Sequence, residues 1–327
     1  MFADAATGKS LDTLDVIAIL AGWVVLVVVA GAAVLALRRL AKPESGVFPA
    51  QRHRAVPWGF LHVAVVLLIC LVWFSALGEV FQEPWANLLA RPFIVVTVFL
   101  FLRRSADARV YQFGLSGRQP LRDVTAGYLF FALLTPAVFG VHWTLLGLIG
   151  PVELPEEQKR LEQMLMQGPA QPEWWFLVLG VVLLAPVMEE LVFRGVLQPW
   201  MAENVGAADL LILVALVGAI IEGASLDSKW PLLFLVTVGT GYVTFEYLMR
   251  RWLPRPGVAR AIYATSLVFA ALHPWPDKVA IFFLSLGLGY VAYRSQSLIG
   301  PTVLHVLFNA TSVLAPLARP FLKEAVP

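Results

Sequence analysis

Long apolar runs recur from one end of this chain to the other, and several are closed by arginine pairs. At bilayer depth every backbone N–H and C=O must be satisfied inside its own segment, so runs of this kind fold as helices. The composition extends the inference to the whole chain: 59% of its 327 residues are hydrophobic and 14% are charged. Soluble domains run nearer about 45–50% and 25%. The reading is an all-α fold, a polytopic transmembrane helical bundle of about ten membrane segments. A net charge of +2, without a long basic tract, excludes a nucleic-acid partner and leaves membrane lipids as the surroundings. Cys70 is the single cysteine, which excludes intrachain disulfides and Cys-based metal cages.

Taken in order, spans are expected at Leu14–Leu37, Val56–Leu77, Asn87–Leu102 and Val124–Ile149 within an N-terminal helical region, 1–150. Arg38, Arg39, Lys42, Arg52 and Arg54, then the basic segment Arg103 to Arg122, mark the cytoplasmic side. That arrangement places the N-terminus outside, in a multi-pass protein of the cell (inner) membrane. Residues 151–173 form an extramembrane loop whose Glu156–Gln167 stretch has the charge pairing of a short helix. Trp174-Trp175 open a fifth span that runs on towards Trp200. Leu210–Ile221, Trp230–Leu248, Ala261–Leu272, Val279–Tyr293 and Leu298–Leu317 follow, with a tail at 318–327.

Three polar clusters lie inside these spans. The first is Glu189-Glu190-x-x-x-Arg194. An ionised group at the bilayer centre costs about 2.5–3.5 kcal/mol on insertion scales, so such residues are functional candidates by default. Glu190 and Arg194 are four apart and share a helical face, with the acid N-terminal to the base. Glu189 diverges from them by about 100° and is left without a local partner. The second cluster is Phe269-x-x-x-His273 at the end of an apolar helix, and the third is His305-x-x-x-Asn309. One Glu, two His and an Asn are the parts for polarising a water and holding an oxyanion. Each has a plainer reading: histidines and Asn309 as hydrogen-bonding residues between helices, and Glu190–Arg194 as a buried structural pair.

The three motifs, in this order on successive membrane helices, resemble the CPBP intramembrane protease family. That family comprises the type II CAAX prenyl endopeptidases (the Ras-converting enzymes) and the bacterial Abi and bacteriocin-processing or self-immunity proteins. Flanking residues fit as well: Phe193-Arg194-Gly195-Val196-Leu197-Gln198, and Gly289-Tyr290 through Ser297-Leu298-Ile299-Gly300-Pro301. The resemblance covers a core at 174–317 and implies a peptidase for a membrane-associated peptide or a prenylated, CAAX-type protein. It implies that Glu189 activates water and His273 assists. His305 and Asn309 position the water or hold the oxyanion, and Glu190, Arg194 and Phe269 support the site. One departure is the roughly seventy residues between the first two motifs, read as an inserted helical pair at about 205–250. No cofactor is expected. Glu189, His273 and His305 are the set that zinc would take, but His-Glu-x-x-His is absent and Asn is a poor fourth ligand. The rival reading is non-enzymatic: a transporter, or an immunity or partner-binding scaffold using the same cluster. A transporter more readily shows repeated halves with paired broken helices, and no such repeat is found.

Overall fold

A computed structural model describes residues 54–80, 84–115, 119–149, 159, 163–164, 171–225, 230–249, 253, 256–273 and 277–325. The expected first span, the N-terminal orientation it carries and most of the Glu156–Gln167 stretch lie outside these residues.

Among the described residues the chain is helical, with no strand. In chain order the main helices are α1 (Phe60–Val80), α2 (Pro84–Ser105), α3 (Pro120–Ile149) and α4 (Pro172–Glu203). They continue as α5 (Val205–Ser225), α6 (Trp230–Met249), α7 (Pro256–Ala271), α8 (Lys278–Ser295) and α9 (Ile299–Ala325). Four of them, α2, α3, α4 and α7, begin on proline. The first helical N–H has no intrahelical acceptor, so a residue lacking it forfeits nothing there.

By length and composition α4 and most of α3 (Pro120–Gly147) are apolar enough to cross a membrane. Phe60–Trp73, Val205–Gly218, Gly257–Ala271 and Ile299–Val313 are shorter apolar stretches. The expectation of about ten spans is therefore met in kind and not in number. Large apolar side chains face outward on helix after helix, among them Leu61, Leu71, Phe93, Leu100, Val243 and Leu272. Lipid is the surrounding that makes such exposure inexpensive.

The order of packing places α4 inside. Its first half lies against α2, its middle against α2 and α9, and its last turns against α7. A second layer forms where α3 packs on α8 and α9, and α7 on α8. On α2 the inward stripe is Ala90, Ile94, Val98 and Leu102, one residue per turn and each buried. Residues 205–249 form α5 and α6, which pack on each other and on α7. There Arg260 joins Asp209 at 2.9 Å and Glu246 at 3.6 Å, so the three helices share one ion cluster.

Candidate active site

The first motif sits on α4, whose local geometry is irregular for a reason written in the chain. Two stretches, Gly180–Leu184 and Leu191–Leu197, are π-helical, each followed closely by a proline, Pro186 or Pro199. In π register a carbonyl accepts from the N–H five residues on. Proline has none, so the carbonyls of Val181 and Arg194 lose that donor. Both are satisfied from elsewhere in the molecule. Asn309 of α9 donates Nδ2 to Val181 O at 3.0 Å, and Arg54 donates Nη2 to Arg194 O at 3.0 Å. Arg54 belongs to an extended strap, residues 54–59, laid over the second half of α4. Within it Trp58 donates Nε1 to Val196 O at 3.1 Å and the Val56 N–H donates to Glu203 at 3.2 Å. Burial lowers the Arg54 guanidinium from its ordinary range to about 10, still far enough above neutrality to keep the charge.

Glu190 and Arg194 pair as the spacing predicts, at 3.1 Å, and both side chains are fully buried. Arg194 also donates Nη2 to Ser285 Oγ on α8 at 2.6 Å, and its guanidinium carbon stands 4.6 Å from the ring centre of Phe269. Arg194 is thus held by a carboxylate, a hydroxyl and an aromatic face, while Glu190 Oε2 and Arg194 Nε are buried without a hydrogen-bond partner among the described residues. Four residues along α4, Gln198 donates to Gly289 O on α8 at 2.9 Å. Flanking residues singled out in the sequence therefore lock α4 to α8.

His305 joins the two adjacent glutamates. Its Nδ1 lies 2.9 Å from Glu190 Oε1, and its Nε2 lies 3.6 Å from Glu189 Oε2. The ring is buried, and the Glu189 side chain keeps 22% of its surface exposed. Of the two carboxylates, Glu189 is the one that an incoming molecule can reach. The Phe269 ring packs edge-on against His305, with centroids 5.7 Å apart, and lies 4.8 Å from the ring of His273. His273 follows the end of α7 and directs Nδ1 at Phe269 O, 2.8 Å away. A carbonyl only accepts, so that nitrogen carries hydrogen and Nε2 is the chemically free one.

Of the predicted residues, the structure brings Glu189, Glu190, Arg194, Phe269 and His305 into one contact network. His273 joins through Phe269, and Asn309 stands one turn beyond His305 on the same helix. Sequence reasoning gave Glu190 to Arg194 alone and missed that it also holds His305. It also passed over Arg91 on α2, whose guanidinium approaches α4 at Gly180. The signal was there: Arg91 is an ionised residue inside the run Asn87–Leu102. A catalytic zinc takes three protein ligands. Among the described residues no three His, Cys, Asp or Glu groups are placed to share a metal ion.

Fold and site together define an all-helical membrane protein with a buried carboxylate–histidine–arginine centre. The model of the Rce1-like family, type II CAAX prenyl endopeptidases, matches residues 171–247 and 242–311. Those two segments hold all three motifs, so the similarity to that family lies over the region that carries them. No curated protein and no solved structure matches the chain.

Proposed function

We propose that the protein is an intramembrane endopeptidase in which Glu189 activates a water to hydrolyse a peptide bond. The substrate is a membrane-associated peptide or a prenylated protein of the CAAX type, as the name of the matching family suggests. The observation that carries this reading is the bridging of two unlike carboxylates by one imidazole. Glu190, neutralised by Arg194, fixes Nδ1 of His305 as the protonated nitrogen and leaves Nε2 as an acceptor. Nε2 and Glu189 Oε2 then stand 3.6 Å apart as two acceptors facing one another. A water hydrogen-bonded to the partly exposed Glu189 carboxylate would stand beside both acceptors.

In this mechanism Glu189 takes a proton as the water oxygen bonds to the scissile carbonyl carbon. The proton passes to the amine nitrogen as the C–N bond breaks, leaving a carboxylic acid and a free amine. Asn309 uses one Nδ2 hydrogen on Val181 and retains a second for the developing oxyanion. Protonated His273 would donate from Nε2. The test is cleavage of a farnesylated CAAX peptide by the purified protein in lipid vesicles. Glu189→Gln is expected to reduce the rate roughly 10²–10⁴-fold, the range of a lost general base, with the fold retained. Undiminished cleavage by a folded Glu189→Gln protein overturns the mechanism.

A further inference from the structure

The buried ion pair on α4 is joined through one carboxylate oxygen. Arg194 Nη1 lies 3.1 Å from Glu190 Oε1, and the same oxygen lies 2.9 Å from Nδ1 of His305. Among the described residues, Glu190 Oε2 and Arg194 Nε are buried with no hydrogen-bond partner. A guanidinium this close to a carboxylate favours the forked arrangement, with two parallel N–H···O bonds. That fork is not closed here. Nη2 donates instead to Ser285 Oγ on α8, at 2.6 Å.

The orientation of Ser285 is itself unusual for this molecule. Serines inside helices often return their hydroxyl to the carbonyl four residues earlier. Ser266 does so to Ile262 O and Ser295 to Val291 O, both at 2.8 Å. Ser285, fully buried, presents its oxygen to Arg194. One turn further along α8, Gln198 donates to Gly289 O at 2.9 Å, which keeps α8 in register with α4. A Cβ at Gly289 would lie 2.9 Å from Gln198 Oε1, so this close approach depends on glycine.

We infer that Ser285 is a positioning residue for His305, acting through Arg194 and Glu190. By taking Nη2 it keeps the fork open, so Oε1 stays turned to Nδ1 of His305 and holds the hydrogen there. Without the hydroxyl, the guanidinium closes on both Glu190 oxygens and Oε1 turns from the ring. The hydrogen of the neutral imidazole then moves to Nε2, where it faces Glu189 Oε2 at 3.6 Å and ties up the base. The consequence for turnover rests on the protease reading. The consequence for the imidazole rests on the buried contacts alone, so the two are tested separately.

Nitrogen NMR of histidine-labelled protein reads the imidazole directly, with the His305 signals identified by their loss in His305→Gln. The wild type is expected to carry the hydrogen on Nδ1, and Ser285→Ala to shift the ring towards the Nε2–H form. Ser285→Cys keeps the volume but offers sulfur, a weak acceptor, and is expected to show the same shift should the alanine variant not fold. Ser285→Thr keeps the oxygen and the wild-type form. In the cleavage assay the alanine and cysteine variants are expected to lower kcat roughly ten- to a hundredfold with little change in KM, the scale of a misplaced catalytic group. The threonine variant recovers the rate. A shifted imidazole in a protein that cleaves no peptide supports the inference and overturns the protease reading alone. Folded alanine or cysteine variants with wild-type His305 signals overturn the inference, as does a wild type with the hydrogen on Nε2.

Discussion

Asn309 and Pro186 are linked through a single carbonyl: the side chain of one donates to Val181 O because the other, five residues on, has no N–H to offer. The amide therefore has a structural task on α4 before any chemical one. Pro186→Ala returns a backbone donor to that carbonyl. Leaving a buried acceptor unsatisfied costs about 1–3 kcal/mol. Asn309→Ala is accordingly expected to destabilise the wild-type background by about that much and the Pro186→Ala background by clearly less. Thermal melts of the four proteins in one detergent check this. Equal losses in both backgrounds would show that Asn309 does not serve the orphaned carbonyl.

Glu189 and Glu190 are expected to differ sharply when each is replaced by Gln. Glu190 is fully buried against Arg194 and His305, and removing one partner of such a pair costs about 3–5 kcal/mol. Glu189 is partly exposed and outside that pair, so Glu189→Gln should unfold close to the wild type while losing cleavage. Denaturation midpoints read beside activity separate the two effects. A Glu190→Gln protein as stable as Glu189→Gln would contradict the division of roles.

Gly114 has φ of 83°, and a Cβ there would meet Arg54 Nη1 and the Leu298 backbone. Its carbonyl accepts from the Leu298 N–H at 2.9 Å, which ties the basic segment after α2 to the turn before α9. Gly114→Ala is expected to cost about 1–2 kcal/mol from the left-handed backbone alone. It costs more because Arg54 must leave the carbonyl of Arg194. If so, Gly114→Ala and Arg54→Ala are less than additive in a stability cycle. Additive losses would show that the strap does not depend on Gly114.

The described helices and the Glu190–Arg194 contact were legible because both follow from local rules: apolar run length and the four-residue spacing of a helical face. Phe269 lies at the level of Arg194, and His273 stands one turn further, past the end of α7. The π-helical stretches were not legible. Pro186 and Pro199 mark where a helix must deviate, but not that it widens, nor which distant side chain meets the freed carbonyl. Arg91 was passed over for a different reason. The helix it approaches, α4, is distant in sequence, and a span read for length and terminal arginines hides an ionised residue within it.

One hundred and fifteen residues separate Glu190 from His305. At roughly 5–20 residues per second of synthesis, the acid waits about 6–23 seconds for the imidazole to be made. Until then the Glu190–Arg194 pair on α4 lacks the ring that packs on it, and α9 has yet to leave the ribosome. The order of the chain therefore sets a temporal demand on biogenesis. α4 must be kept near the insertion machinery, or among the helices made before it, until the last helix arrives to close the centre.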